Sequence, residues 1–299
     1  MLISEYIKIN TISLVSTIQI DERESQTVLR FLIEDSLQVN RIDFSNYSLK
    51  DEEIEVLNKG IERLKNNEPL QYITGKAYFY GLEFEVSPAV LIPRPETEEL
   101  VHQILKDFKI RDFETRNKEK LMFLEVGTGS GCISITLAKN LPNCHFIAID
   151  ISKEALKIAQ KNAQKNEVTN IEFIELDFLD EKLIKELYLN YSQLQNINSL
   201  ISNPPYIKES EKLDMSSNVL DYEPHIALFV EEHNPLIFYK SLANFFVNTI
   251  KDKDGLLYVE INQYLANETK DLFVSFGIEN CIIFKDLQDN SRFIRASRK

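Results

Sequence analysis

The stretch that decides the fold is LMFLEVGTGSGCISITLAKNL, residues 121–141. Its apolar first part predicts a buried strand, and its last part, from Ser130 onward, predicts a helix. The glycines between them allow the backbone to turn sharply and to approach a ligand closely. The helix presents free N–H groups at its N-terminus. The stretch therefore predicts a strand–turn–helix unit whose turn contacts a ligand.

The chain after about residue 95 continues as alternating strands and helices. The runs that predict buried strands are LMFLEVG, HFIAID, IEFIELD, SLISN and GLLYVEI. The segments that predict helices are 95–109 and, between the strands, SGCISITLAKNL, SKEALKIAQKNAQK, EKLIKELYL and PLIFYKSLANFFVNTI. This alternation is typical of a doubly wound, mostly parallel α/β sheet. IENCIIF and RFIRAS follow with no helix between them, and they predict a terminal antiparallel pair.

The first part of the chain has a different character. Apolar residues recur at three-to-four spacing from about residue 3 to 70, which predicts a small helical domain. KAYFYGLEFEVSPAVLIPRPE then combines aromatic alternation, a turn at Gly81 and three prolines, which indicates a β-hairpin and a rigid connector. We expect a helical N-terminal domain over 1–75, the hairpin and proline connector over 76–95, and the α/β domain over 96–299.

Composition argues against several classes of protein. The chain has 299 residues, of which 43% are apolar, and this suits a globular fold. A formal net charge of −13 argues against a protein that coats nucleic-acid phosphates, so we expect no direct nucleic-acid contact. The three cysteines show no C-x-x-C spacing and the histidines no H-E-x-x-H. We therefore expect neither a disulfide framework nor a metal site.

The N-terminal residues do not resemble a targeting segment. They include Glu5 and Lys8 and lack an A-x-A-like cleavage site, so we expect no signal peptide. No run approaches the roughly 18 uninterrupted apolar residues of a membrane span, so we expect none. The scattered cysteines suit a reducing compartment. These features together predict a cytoplasmic protein.

The glycine-rich turn and the acid at the end of the next strand predict an adenosine site. Ligands of doubly wound sheets bind beyond the carboxyl ends of the strands. The second strand ends in Asp150, whose carboxylate can accept hydrogen bonds from both hydroxyls of a ribose. The turn itself consists of Gly127, Thr128, Gly129, Ser130 and Gly131. A glycine-rich turn can also serve tight packing alone. The combination of this turn after the first strand with Asp150 at the end of the next strand favours a ligand that contains adenosine.

The pattern favours S-adenosylmethionine over a dinucleotide. The third glycine of the dinucleotide fingerprint G-x-G-x-x-G is replaced by Cys132. Glu125 suits a cofactor with an ammonium and a sulfonium group, whereas a pyrophosphate would be repelled by a carboxylate. The third strand ends with Asp177, which can accept from the adenine amine, and Phe178, which offers a stacking face.

The tetrapeptide Asn203-Pro204-Pro205-Tyr206 ends the fourth predicted strand. One interpretation is a strand stop and a turn, because proline cannot donate to a sheet. The other is an active site for a planar nitrogen. The Asn203 side-chain oxygen and the Pro204 carbonyl can accept the two N–H groups of an NH₂, and Tyr206 can cover its face. The motif is similar to those of methyltransferases that act on base amines or side-chain amides.

Further segments make the chain similar to the HemK/PrmC family of protein-(glutamine-N5) methyltransferases, which modify peptide chain release factors. The resemblance covers about residues 60–299. It is carried by EPLQYITG (68–75), VSPAVLIPRPETEELV (86–101), EVGTGSG (125–131), SNPPYI (202–207), YEPHIAL (222–228), GLLYVEI (255–261) and DNSRFIRASR (289–298). The IPRPETE connector discriminates best, since adenine-N6 DNA methyltransferases do not characteristically carry it.

The resemblance implies a Rossmann-like S-adenosylmethionine-dependent methyltransferase fold with a small all-α domain that engages the release factor. Its substrate is a glutamine in a Gly-Gly-Gln loop. Carried onto this chain, the glutamine amide is clamped by Asn203, Pro204, Pro205 and Tyr206. The cofactor is held by Glu125, Gly127, Thr128, Gly129, Ser130, Gly131, Asp150, Asp177, Phe178 and Asn203. We expect a cytoplasmic monomer.

Two other functions are compatible with parts of the pattern. A nucleic-acid base N-methyltransferase shares the tetrapeptide, but it predicts a basic cleft and a target-recognition domain, which the charge pattern does not show. A non-catalytic translation-factor binding module predicts an eroded glycine-rich turn, whereas both motifs are intact.

Several polar side chains are interpreted as structural. Arg94 and Glu96 either bind substrate or pair with each other, and we favour the pair. His225 is assigned to loop structure, because the mechanism requires no base. The basic residues near the C-terminus are interpreted as the solvated face of an edge strand. They are Arg292, Arg295, Arg298 and Lys299.

Overall fold

The structure is a computed structural model that describes residues 1–18, 20–115, 121–190, 194, 196–252, 254–286 and 288–298. The chain divides into two compact units. The first contains Met1–Ala77, Val86–Pro88 and Met215–Glu223, and the second contains Tyr78–Glu85, Ala89–Asp214 and Pro224–Lys299.

The first part of the chain forms helices, and the part after them alternates between strands and helices. The helices are α1 (Ile3–Ile18), α2 (Glu22–Leu37), α3 (Asp51–Lys65), α4 (Leu70–Thr74), α5 (Pro95–Thr115), α6 (Cys132–Asn140), α7 (Lys153–Lys165), α8 (Glu181–Asn190), α9 (Ser217–Tyr222), α10 (Ile237–Thr249) and α11 (Ala266–Ser275). The strands are β1 (Lys76–Phe79), β2 (Leu82–Glu85), β3 (Met122–Val126), β4 (His145–Asp150), β5 (Ile171–Glu175), β6 (Ile197–Ser202), β7 (Ile207–Lys208), β8 (Phe229–Val230), β9 (Leu256–Glu260), β10 (Asn280–Lys285) and β11 (Ser291–Ser297).

The first unit is built from α1 to α4 with the short helix α9. Asp21 caps α2 by accepting a hydrogen bond from the Glu24 N–H at 2.8 Å. The Tyr222 hydroxyl donates to the Asn66 carbonyl at 2.8 Å, which ties α9 into this unit. Residues at helical spacing form its core, namely Ile3, Leu14, Leu29, Leu32, Ile33, Leu57, Ile61 and Leu64. The predicted helical N-terminal region is confirmed.

The second unit contains the main sheet, which among the described residues has seven strands in the order β10-β11-β9-β6-β3-β4-β5. Neighbouring strands in the part β9-β6-β3-β4-β5 are all parallel. β11 runs antiparallel to both β9 and β10. The predicted mostly parallel sheet with a terminal antiparallel pair is therefore confirmed. The carboxyl ends of the parallel strands meet at one edge, where ligands of such sheets bind.

Both faces of the central part of this sheet are buried, as β3 shows. Leu124 and Val126 pack into the core formed with α10 and α11, whereas Phe123 packs into the core formed with α5 and α6. The ring of Phe123 stacks on Phe146 with 4.8 Å between centroids, and Phe108 of α5 meets it edge-on at 4.7 Å. Burial of both faces explains why the central parallel strands β3, β4, β6 and β9 are nearly continuous apolar runs in the sequence.

β1 and β2 form the predicted hairpin. Tyr80 and Gly81 join them with φ of 50° and 77°, and positive φ at both positions is what a two-residue type I′ turn requires. Asn162 of α7 accepts from the Glu85 N–H at 2.6 Å and donates to the Glu85 carbonyl at 2.9 Å. Asn166 adds a bond to the Glu83 carbonyl at 3.0 Å. These amide side chains hold β2 against α7.

The interpretation of the C-terminal basic residues as a solvated edge is wrong. β11 lies between β10 and β9 and is not an edge strand. Arg295 donates to both carboxylate oxygens of Asp107, at 3.0 and 3.1 Å. Arg292 donates to Asp286 at 2.7 Å, and Arg298 to the Phe246 carbonyl at 3.1 Å. Lys299 lies outside the described residues.

Across the described part of the chain, no helix combines the length and the apolar content needed to cross a bilayer. Cys132, Cys144 and Cys281 form no disulfide, and each residue is partly exposed. Among the described residues, the His, Cys, Asp and Glu side chains form no group of three or more that could hold a metal ion.

Candidate active site

A cavity of about 260 Å³ opens at the carboxyl edge of the main sheet, within the second unit. It brings together residues that follow β3, β4, β5 and β6. The predicted site residues that line it are Glu125, Gly127, Thr128, Gly129, Ser130, Asp150, Asp177, Phe178, Asn203 and Pro205. Gly131, Pro204 and Tyr206 do not line it.

The glycine-rich turn is fastened to β4. The N–H groups of Gly127 and Thr128 both donate to the Ile149 carbonyl, at 2.9 and 3.0 Å. Gly129 has φ of 55°, and a Cβ added there would meet no atom within 4 Å, so a ligand can approach this backbone. At Gly131, with φ of 81°, a Cβ would lie 2.6 Å from Ile135 Cδ1. Gly129 therefore faces open space, whereas Gly131 permits the close packing that starts α6.

Asp150 joins the end of β4 to this turn. Its Oδ2 accepts from the Gly129 N–H at 2.8 Å, and its Oδ1 accepts from the Ser152 N–H at 2.9 Å. Burial raises the pKa of the Asp150 carboxyl, while these N–H groups act in the opposite direction. Each carboxylate oxygen can accept a second hydrogen bond. Asp150 can thus support the turn and still accept from a ligand in the cavity.

Glu125 lies at the base of the turn and is 2% exposed. Its Oε2 accepts from the Thr128 hydroxyl at 2.6 Å, and Ser134 also bonds to this carboxyl. Burial raises the pKa of Glu125 to about 7. The Glu125 carboxyl thus has one partner in the turn and one in α6, and its expected contact with a cofactor ammonium group remains a prediction.

The residues after β5 form another wall of the cavity. Asp177 accepts from the Leu179 N–H at 2.9 Å, which tightens the turn after the strand. Phe178 is 4% exposed, and its ring packs at a tilt against Phe245 with 5.5 Å between centroids. Since Phe245 supports this ring within the core, Phe178 is a rigid apolar part of the cavity wall.

The tetrapeptide after β6 is connected to a buried carboxylate that the sequence analysis did not identify. Asn203 Nδ2 donates to Thr97 Oγ1 at 3.3 Å. The Thr97 hydroxyl donates to Glu260 Oε2 at 2.6 Å, and the Tyr206 hydroxyl donates to Glu260 Oε1 at 3.0 Å. Glu260, at the end of β9, therefore links the start of α5 to both ends of the tetrapeptide.

The surroundings of Glu260 act on the pKa of its carboxyl in opposite directions, and burial has the largest effect. It is 2% exposed, and burial raises the pKa of its carboxyl. The hydroxyls of Thr97 and Tyr206 and the guanidinium of Arg292 act in the opposite direction. Burial and the neighbouring Glu260 raise the pKa of Tyr206 well above its usual value, so this phenol stays protonated.

Thr97 and Glu260 were missed although both had a signal in the sequence. Thr97 lies in the IPRPETE segment, residues 92–98, of which only Arg94 and Glu96 were considered as site residues. Glu260 ends the strand GLLYVEI, and a carboxylate at the carboxyl end of a predicted parallel strand belongs to the binding edge. Four residues of this segment line the cavity, namely Ile92, Pro93, Arg94 and Thr97, as does Leu91 just before it.

Arg94 and His225, both interpreted as structural, differ in their relation to the cavity. Arg94 lines the cavity, whereas Glu96 does not. The His225 ring packs edge-on against Phe229 with 5.2 Å between centroids, and His225 does not line the cavity. The loop around it contributes Pro224, Ile226 and Ala227 to the cavity wall instead.

Known protein families match both parts of the chain. A methyltransferase domain matches residues 117–270, and a PrmC N-terminal domain matches residues 17–75. A release factor glutamine methyltransferase from Flavobacterium psychrophilum is 40% identical over 280 residues, which are 93% of this chain and 93% of that protein. The chain belongs to the release factor glutamine methyltransferases. Another release factor glutamine methyltransferase, from Lactococcus lactis, is 37% identical over 270 residues, which are 89% of this chain and 92% of that protein.

Solved structures agree with the fold. The catalytic domain of hMettl16, in complex with the MAT2A 3'UTR hairpin 6, matches with a TM-score of 0.57 at 15% identity. The match covers 90% of this chain and 92% of that chain. At this identity the likeness shows the fold alone, and it confirms the Rossmann-like fold. The matching methyltransferase domain and the 40% identical relative confirm the methyltransferase family that the motifs implied.

Proposed function

We infer that this protein transfers a methyl group from S-adenosylmethionine to the side-chain amide nitrogen of a glutamine in a peptide chain release factor. The observation that carries the proposal is the shared cavity. Asn203 and Pro205 of the tetrapeptide line the same cavity as Gly129 and Asp150. A cofactor held by the turn and an amide held by the tetrapeptide would therefore be neighbours.

The residues present fit S-adenosylmethionine. The open space at Gly129 admits a ligand to the backbone, and the Asp150 carboxylate retains lone pairs for ribose hydroxyls. We assign Phe178 to the adenine face and Asp177 to the adenine amine. When bound, S-adenosylmethionine supplies a methyl group activated by the adjacent sulfonium. The remaining predicted cofactor residues are Glu125, Gly127, Thr128, Ser130, Gly131 and Asn203.

The tetrapeptide supplies what an amide nitrogen lacks as a nucleophile. The lone pair of that nitrogen is delocalised into the carbonyl group. Acceptors at Asn203 Oδ1 and the Pro204 carbonyl would bind its two N–H groups, orient the nitrogen and stabilise the positive charge that develops on it. We assign Pro205 to shaping this turn and Tyr206 to bracing it through Glu260, in addition to the predicted contact with the amide face.

Several finer assignments belong to the same proposal. We propose that residues 1–75 engage the release factor, that 76–95 connect the domains, and that 96–299 carry the reaction. The glutamine would lie in a Gly-Gly-Gln loop. We further propose that the enzyme acts in the cytoplasm as a monomer and makes no direct contact with nucleic acid. The net charge of −13 supports the last of these assignments.

The test is a transfer assay with radiolabelled methyl groups. Purified release factor and an adenine-containing DNA duplex are offered in parallel, and labelled products are mapped by mass spectrometry. The expected result is a label on the glutamine of the Gly-Gly-Gln loop. Label on the duplex alone would overturn the assigned substrate while leaving the fold and the cofactor unchanged.

A further inference from the structure

The two ends of the Asn203 amide have almost the same shape but opposite hydrogen-bonding character. The oxygen accepts and the NH₂ donates. Turning the amide over would present the NH₂ group to the cavity, and a donor there would repel the NH₂ of a glutamine. The proposed reaction therefore needs something that selects one orientation of this side chain.

The hydrogen bonds around Thr97 provide that selection. A hydroxyl has a single proton, and the Thr97 proton is used in the 2.6 Å bond to Glu260 Oε2. Toward Asn203, Thr97 Oγ1 can offer only lone pairs. It therefore accepts from Asn203 Nδ2, at 3.3 Å, and would repel Asn203 Oδ1.

Glu260 sets the direction of the Thr97 proton. The two carboxyl oxygens of Glu260 accept from the hydroxyls of Thr97 and Tyr206, so neither of these two hydrogen bonds uses a proton of Glu260. Thr97 and Glu260 are each 2% exposed, which limits competition from water. Register also supports the arrangement, because Ser202 and Val259 are partners in β6 and β9, so the residues that follow them are neighbours.

We propose that Thr97 and Glu260 are positioning residues that turn the Asn203 amide so that its oxygen faces the cavity, which selects a primary amide as substrate. This inference rests on the proposed function. The polarity runs from the Glu260 carboxylate through the Thr97 hydroxyl to the Asn203 NH₂. The site consequently distinguishes glutamine from glutamate, since a carboxylate brings an acceptor to a position that already holds one.

The test compares three variants with the wild type. Thr97→Val removes the hydroxyl at nearly constant volume, and Thr97→Ser keeps it. Glu260→Gln introduces an NH₂ that can donate to Thr97 and so release the Thr97 proton toward Asn203. The first readout is kcat and KM for methylation of the release factor. The second is the ratio of the Kd values for the release factor and for a release factor whose target glutamine is replaced by glutamate.

Thr97→Val and Glu260→Gln are expected to lower kcat by about tenfold or more, with little change in KM. In both variants the preference for the glutamine over the glutamate release factor, measured as the ratio of their Kd values, should shrink by a similar factor. Thr97→Ser should keep the wild-type kcat and the wild-type ratio. A kcat and a ratio of the wild-type size in Thr97→Val would overturn the inference. So would a lower kcat with an unchanged ratio, because that is the signature of a purely structural role. If the wild type itself does not methylate glutamine, the proposed function fails instead.

Discussion

The Asn203→Ala variant is expected to lose methyl transfer while it keeps its fold and its cofactor site. Alanine removes the oxygen that accepts one N–H of the substrate amide. Loss of one preorganised hydrogen-bonding group at a reacting centre costs about 10²–10³-fold in kcat, or about 2.7–4 kcal/mol. Because Asn203 lines the cavity beside the turn, the change lies at the reacting end of the site.

The same substitution should cost little stability. The Asn203 side chain donates one hydrogen bond, to Thr97 at 3.3 Å. A hydrogen bond of this kind contributes about 1 kcal/mol net to folding. We therefore expect the free energy of unfolding to fall by about 1 kcal/mol, which is much less than the loss in transition-state stabilisation.

Three measurements on the same preparation test this reasoning. They are kcat with radiolabelled cofactor, the Kd of S-adenosylmethionine by calorimetry, and urea unfolding. Asn248→Ala, at an exposed position of α10 that does not line the cavity, is the matched control and should leave kcat unchanged. A kcat for Asn203→Ala within about threefold of the wild type would refute the clamp, and a loss explained by cofactor Kd would assign Asn203 to cofactor binding alone.

Three further predictions concern the turn and its acids. A Cβ at Gly131 would lie 2.6 Å from Ile135 Cδ1, whereas a Cβ at Gly129 would meet open space. Gly131→Ala should therefore lower the free energy of unfolding by about 2 kcal/mol, and Gly129→Ala by about 1 kcal/mol. Gly129→Ala should weaken cofactor binding more than Gly131→Ala does. If urea unfolding and cofactor titration show equal effects for the two variants, the assigned roles of these glycines are wrong. Asp150→Asn should raise the Kd of S-adenosylmethionine about tenfold, since one charged acceptor becomes a donor, and an unchanged Kd in calorimetry would exclude Asp150 from the cofactor site. The pKa of Glu125 is raised by burial from 4.5 to about 7, so the stability that it contributes is present below about pH 4.5 and is lost as the pH rises through about 7. Glu125→Gln should remove that part of the pH dependence of urea unfolding, and parallel profiles for variant and wild type would show that Glu125 does not titrate in this range.

Local sequence determined the elements and the edge at which the site lies. Apolar periodicity identifies the buried strands, and parallel strands place all their carboxyl ends at the same edge. Residues as distant in the chain as Gly129, Asp150 and Asn203 could therefore be assigned to one cavity without knowledge of the strand order. The motifs around them were specific enough to indicate the family.

Only the tertiary structure decided which side chains support the site and how. Thr97 and Glu260 are 163 residues apart, and the direction of the hydroxyl proton between them follows from packing that no local pattern encodes. The position of β11 inside the sheet was also not predictable, because periodicity identifies strands but not their neighbours. The arginines of β11 consequently meet carboxylates such as Asp107, and not solvent. Strand order and hydrogen-bond direction are properties of the whole fold, since each depends on which elements pack together.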